Sequence, residues 1–187
     1  MFSTSLKAFW SNWKEAVFFI VKIALVYGSW RVLKYLGEAD PNFLFGWWEA
    51  MYDFFAKRLA EGAAVVLKVF GYGYKQYGRV IIVDGTRGIL VANLCVGIAA
   101  FYIYSGLILA FGNNWRDKLW FVPMGLLFIF VINVFRVVAL ALVQLHYEQY
   151  FKIAHTYVYV VLTYGLIFGL VVIWMEKFAF KKTTAKV

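Results

Sequence analysis

From about Leu119 to Leu145 the chain is apolar, interrupted by Asn133 and Arg136. At 1.5 Å per residue, a helix of that length is about 40 Å long, more than the roughly 30 Å hydrocarbon core of a bilayer. Three further stretches have the same character: about Ala16 to Leu36, interrupted by Lys22, Arg31 and Lys34, then Cys95 to Phe111, and His155 to Met175. A soluble fold has too little polar surface to cover a chain that is 64% hydrophobic, against roughly 45–50% for an average soluble domain. A bilayer removes that problem. The 21% aromatic content fits too, because Trp and Tyr collect at membrane interfaces. The expected fold is an all-α integral membrane protein, a bundle of about four transmembrane helices in a single domain of 187 residues.

Two elements between the first and second spans are expected outside the lipid core. In the segment Phe45 to Phe70, Glu49, Asp53, Lys57 and Glu61 recur every four residues on one helical face, while Trp48, Met51, Phe55, Leu59 and Val66 fall mostly elsewhere. This predicts an amphipathic helix lying at the interface rather than crossing. Next, YGRVIIVDGTRGILVAN places β-branched runs on both sides of Asp84-Gly85, a short β-hairpin signal. Bare strand edges are not tolerated in lipid, so the hairpin belongs at the surface or under protein cover. The chain thus divides into an N-terminal anchor helix (1–36), the outer amphipathic helix and hairpin (37–93), a three-helix core (94–176) and a basic tail (177–187).

Direction follows from Lys and Arg. Lys7 and Lys14 precede the first span, Arg116 and Lys118 join the second to the third, and Lys177, Lys181, Lys182 and Lys186 follow the fourth. With four spans these segments share the cytoplasmic side. GEADP, the amphipathic helix, the hairpin and HYEQYFK then face outward. This bias accounts for the net charge of +9, and nucleic acid is not an expected partner; the lipid bilayer is. No small-residue cleavage pattern closes the first span, which reads as an uncleaved anchor.

The polar outliers meet at one depth. Cys95, the sole cysteine, lies at the outer end of the second span, and His155 at the outer end of the fourth. Arg136 lies sixteen residues beyond the inner start of the third span near Trp120, hence about 24 Å along it, in the outer leaflet. Asn133 shares its helical face at i and i+3. Each has an ordinary explanation taken singly. A lone Cys is usually an inert small hydrophobe; Arg136 can snorkel; Asn133 can bond a neighbouring helix; His155 can be an interfacial residue. Their convergence from three helices on one layer points instead to a site. A thiolate attacks acyl carbon, a histidine takes and returns the proton, and an arginine steadies anionic charge. No acidic residue stands beside His155 in sequence, although Glu148 is within reach, so the set reads as Cys95, His155 and Arg136 as catalytic residues with Asn133 supporting. With only His146 and His155 as histidines, neither a metal nor a cofactor is expected.

ANLCVGI around Cys95, INVFRVV around Arg136 and AHTYVYV at His155 resemble the exosortase/archaeosortase family, as do the order Cys, Arg, His and the spacing of Asn133 and Arg136. The resemblance covers roughly residues 75–176 and is to the compact bacterial members. It implies a membrane-embedded cysteine transpeptidase or protease in the bacterial cytoplasmic (inner) membrane, with its active site near the extracytoplasmic face. Its partners would be membrane-anchored protein substrates ending in a short motif, one helix and a basic tail, and the cleaved protein would pass to an envelope acceptor. On that likeness Cys95 forms the thioester, His155 is the acid/base, Arg136 stabilises charge and Asn133 orients Arg136.

Two other functions stay open on sequence. A non-enzymatic assembly or transport subunit would use Arg136 and Asn133 only to join helices. A membrane acyltransferase would carry a lipid acyl group on Cys95.

Overall fold

The computed structural model describes residues 2–39, 43–112 and 114–179; the side chains of 2–16, 43–44 and 158–159 lie outside that description, as do Asp40 and Pro41 of the acidic stretch and the basic tail from residue 180. The chain is mostly helical. Helix α1 (Phe2–Glu38) is followed by α2 (Phe43–Val69), a sheet of β1 (Tyr74–Tyr77), β2 (Val80–Val83) and β3 (Ile89–Leu90), and then α3 (Asn93–Val96), α4 (Ile98–Ala110) and α5 (Trp115–His146). A 3₁₀ turn leads into α6 (Phe151–Ile153). A π-helical turn, Ala154–Val158, joins α6 to α7 (Tyr159–Trp174), and a second π turn ends at Ala179.

Among the described residues three helical stretches are long and apolar enough to cross a membrane: Asn93–Ala110, Trp115–His146 and Glu148–Ala179. They overlap the second, third and fourth expected spans, and the fourth starts earliest relative to expectation, at Glu148 rather than His155. Asn114 caps the first turn of α5 by accepting from Arg116 N at 3.2 Å, which fixes where that span begins. Helix α1, the expected first span, carries Lys22, Arg31 and Lys34 and is not among the three. It runs antiparallel beside α4. Phe19 meets Phe111 with ring centroids 5.0 Å apart, Lys22 Nζ donates to Ala110 O at 3.0 Å, Val26 lies against Gly106, and the Tyr102 hydroxyl donates to Ser29 at 3.0 Å. Positions that rise along α1 from Phe19 to Ser29 meet positions that fall from Phe111 to Tyr102, the ladder of two antiparallel helices lying side by side.

The C-terminal end of α4 leaves carbonyls without intrahelical partners. Side chains from three helices take them up: Lys22 of α1 at Ala110 O, the buried Lys118 of α5 at Leu109 O (2.8 Å), and the buried indole of Trp174 in α7 at Phe111 O (3.1 Å). Lys22 and Lys118 also oppose the negative end of the helix dipole. Lys22 is thereby a helix-capping group.

Helix α2 has the expected polar face, where Lys57 pairs with Asp53 at 2.6 Å and Arg58 with Glu61 at 2.7 Å. Its other face is buried in protein. Trp48, Tyr52, Ala56, Leu59, Ala60, Ala63 and Leu67 form a stripe in the main core cluster. Small residues let α2 approach α5 closely; a methyl group added at Gly62 would lie 2.9 Å from Val134 Cγ2.

The hairpin expected around Asp84-Gly85 is part of a three-stranded antiparallel sheet in the order β1-β2-β3. The tight turn is at Gly78-Arg79, where Tyr77 pairs with Val80 and Gly78 takes φ +57, the left-handed conformation that favours glycine. Asp84 N bonds Gly73 O at 3.0 Å, so the β1–β2 pairing runs up to the first residue of the expected turn. Thr86 N then bonds Val83 O at 2.9 Å, which makes Asp84-Gly85 the centre of a turn, with Gly85 at φ +88. The reversal begins where the sequence placed it and runs on through Gly88 before β3.

A second core cluster fills the opposite end of the bundle around Tyr104, Phe121 and Trp174. The buried Tyr104 hydroxyl donates to Phe121 O at 2.8 Å by passing over Gly125, where a Cβ would collide with it. Gly125→Ala is therefore expected to destabilise the protein by about 1–3 kcal/mol through overpacking, read as a lowered melting temperature in detergent. Gly28→Ala, in a helix interior with open space at its Cβ position, should leave that temperature level or raise it.

Candidate active site

Cys95 sits in α3, a single helical turn held in place from both sides. Val91 N bonds Arg79 O at 2.9 Å, and the Arg79 guanidinium donates to Asn93 Oδ1. The Asn93 amide in turn reaches Glu49 of α2 at 3.5 Å. Sheet, α2 and α3 are thus linked one residue pair away from the thiol. Gly97 at φ +80 then turns the chain from α3 into α4.

The thiol meets the histidine. Cys95 Sγ and His155 Nε2 are 3.4 Å apart, sixty residues separated in sequence, and Cys95 is buried. The His155 ring is stacked on Phe151 at 5.9 Å with 19° between planes, which holds its orientation. His155 lies in the π turn, a widening that re-aims side chains and often occurs at functional positions.

Beside this pair is a cavity of about 400 Å³ whose lining includes Gly97, Asn133, Arg136, His155, Thr156 and Thr163. The three helices expected to contribute do so, and all four residues singled out on sequence lie in or against this one site. Arg136 is only 9% exposed, and its Nε has no hydrogen-bond partner among the described residues. Among the described residues no acidic side chain lines the cavity. Glu148, the acid in reach of His155 by sequence, instead faces Arg87 at 3.5 Å, because its 3₁₀ turn directs it toward the β2–β3 loop. Asn133 is fully buried, and neither its amide nitrogen nor its oxygen has a partner among the described residues, so no hydrogen bond joins it to Arg136.

Sequence reasoning passed over Gly97, Ala100 and Thr163, which also line the cavity. Thr156, Val160 and the buried Thr163 are spaced by four and three on one helical face. Their period was readable; their direction was not. Among the described residues no three His, Cys, Asp or Glu side chains cluster closely enough to hold a metal ion.

The family model described as transmembrane exosortase matches residues 15–175. The chain belongs to the transmembrane exosortase family. With three apolar helices it is a multi-pass membrane protein of that family. The match to this exosortase reaches back across α2 and most of α1, well beyond the three motif stretches of the core. No curated protein and no solved structure matches the chain.

Proposed function

We propose that this exosortase is a cysteine transpeptidase or protease that cleaves the C-terminal sorting signal of exported, membrane-anchored proteins and passes them to an envelope acceptor. The observation that carries the reading is the 3.4 Å contact of Cys95 Sγ with His155 Nε2 beside a buried Arg136 that has no acidic partner among the described residues. His155 takes the thiol proton. The thiolate attacks the scissile carbonyl, the carbonyl π pair moves to oxygen, and collapse of the adduct breaks the C–N bond as His155 returns the proton to the leaving amine. The product is a thioester on Cys95 and a released tail peptide. An amine, hydroxyl or water then displaces the sulfur. Arg136, always charged, stabilises the thiolate and the anionic adduct in a site shielded from water.

Four crossings suit this reading. Because α4 belongs to a candidate span and α1 lies antiparallel along it, α1 traverses the same layer. The Lys and Arg bias then puts the N-terminal arm, the Arg116–Lys118 connection and the basic tail in the cytoplasm, with Cys95 near the extracytoplasmic face of a bacterial inner membrane. Helix α2 meets Trp30 of α1, Phe101 of α4 and Val134 of α5 in turn, as expected of a helix laid across the outer part of the bundle. A substrate anchored by its own helix would enter sideways from the lipid.

The test is co-expression in membranes with a substrate ending in a short motif, one helix and a basic tail. Wild type should remove the tail and yield a hydroxylamine-sensitive adduct between substrate and Cys95. His155→Gln should retain a folded protein and lose about 10²–10⁴-fold of the cleavage rate, the range for a general acid–base. A lipid adduct in place of a peptide one would mean an acyltransferase, and normal processing by Cys95→Ala would mean a structural cysteine.

A further inference from the structure

We propose that the Asn133 carboxamide and the N-terminal turn of α4 form the oxyanion hole of this site, with Gly97 as the residue that lets them meet. This rests on the reading of Cys95 as the acylated nucleophile.

Asn133 is completely buried, and both of its amide atoms lack partners among the described residues. A buried amide without partners costs about 1–3 kcal/mol, and native proteins keep such groups rarely. A residue serving only to join helices would bond across to its neighbour. Asn133 instead stands in the wall of the cavity that His155 and Arg136 line, and Nδ2 faces Gly97.

Gly97 opens α4. The first intrahelical bond of that helix runs from Phe101 N to Gly97 O at 3.0 Å. The N–H groups of Ile98, Ala99 and Ala100 therefore have no carbonyl within the helix, and no side chain caps the turn. Unpaired N–H groups at the positive end of a thirteen-residue helix favour an anion. Gly97 and Ala100 line the same cavity, and Cys95 lies two residues before Gly97. The thiol that creates the oxyanion and the donors that would receive it thus belong to one short stretch, with Asn133 closing it from α5.

The same geometry explains the glycine. A methyl group at Gly97 would lie 2.6 Å from Asn133 Nδ2, and φ +80 disfavours any side chain there. An alanine would push the amide off the donor turn.

When the Cys95 thiolate adds to the scissile carbonyl, the C–S bond forms and the π pair becomes a negative charge on oxygen. Asn133 Nδ2 and the α4 N–H groups donate to that oxygen, while the Arg136 charge acts on the thiolate and the adduct together. Collapse returns the pair to the C=O bond and expels the amine, which takes its proton from His155. Asn133 gains its partner only in the adduct, the condition for raising the rate rather than ground-state binding.

The test compares two reactions of the same thiol in detergent-solubilised full-length protein. Acylation by a tailed substrate passes through an oxyanion; alkylation by iodoacetamide does not. Asn133→Ala and the near-isosteric Asn133→Asp should each slow thioester formation by about 10²–10³-fold, the usual loss for one oxyanion-hole donor. Both should change the alkylation rate by no more than about twofold and leave co-purification of the uncleaved substrate intact. Gly97→Ala should behave like Asn133→Ala. Unchanged acylation in the Asn133 variants overturns the proposal, and so does a parallel fall in alkylation, which would mark Asn133 as a structural support of the thiol. A wild type that alkylates but forms no thioester would instead overturn the nucleophile reading on which the proposal stands.

Discussion

Cys95→Ala leaves the protein inserted and extractable at the wild-type level, and it lowers tail removal by about 10⁴-fold or more, the scale of losing a covalent nucleophile. Two features of the site make the pairing of a folded protein with a dead enzyme the expected result. The thiol contacts His155 at 3.4 Å but holds no helix cap, ion pair or sheet bond, so its loss removes one small buried group. Such a loss costs on the order of 1 kcal/mol. The chemistry has no substitute, because Cys95 is the only cysteine. Cys95→Ser keeps the size and the contact to His155 and is expected to be nearly as inactive, since the hydroxyl is far less acidic than the thiol. Immunoblotting for the tail, with detergent melting curves run in parallel, separates the two effects.

Arg136→Met carries the second large effect. Cleavage should fall by about 10²–10³-fold, the range for one charge-stabilising group at a reacting oxygen. Arg136→Lys should recover only part of this, because an ammonium on a flexible stem does not reproduce the planar donor fork. The accompanying stability result distinguishes a catalytic arginine from one that binds helices together. Breaking a buried ion pair normally costs about 3–5 kcal/mol, because the remaining partner is left as an uncompensated charge. Among the described residues Arg136 faces no carboxylate in its cavity, and its Nε has no hydrogen-bond partner. Removing it leaves no orphaned anion, so the melting temperature should stay level or rise. A drop as large as that of a broken buried pair would show that Arg136 holds the bundle together, as the subunit reading requires.

Much of this was legible in the residues. Apolar length is a local property, and bilayer thickness converts it to a span without reference to the rest of the chain. The three stretches from Cys95, Leu119 and His155 therefore overlap the helices, the last of which begins earlier, at Glu148. Depth was legible for the same reason: 1.5 Å per residue brings Cys95, Arg136 and His155 to one layer. The small-residue face of α2 is written in Ala56, Ala60 and Ala63, yet its partner α5 is not, because periodicity states which face is apolar and not what covers it. β1 was missed because Tyr74–Tyr77 is short and half polar, and it becomes a strand by pairing with Val80–Val83. Glu148 was placed within reach of His155 by proximity in sequence, and a 3₁₀ turn sends it to Arg87.

The sequence by itself thus determined a membrane bundle, the layer where its polar residues gather and the kinds of chemistry they offer. Hydrophobic length and helical rise act along one chain segment at a time, and those quantities need no partner. Only the tertiary structure decided that His155 turns Nε2 to the thiol, that Arg136 stands without an acid, and that Asn133 is buried unbonded against Gly97. Each of these depends on how one helix is rotated and spaced against another. Side-chain packing across several helices at once sets that rotation, and no single segment encodes it.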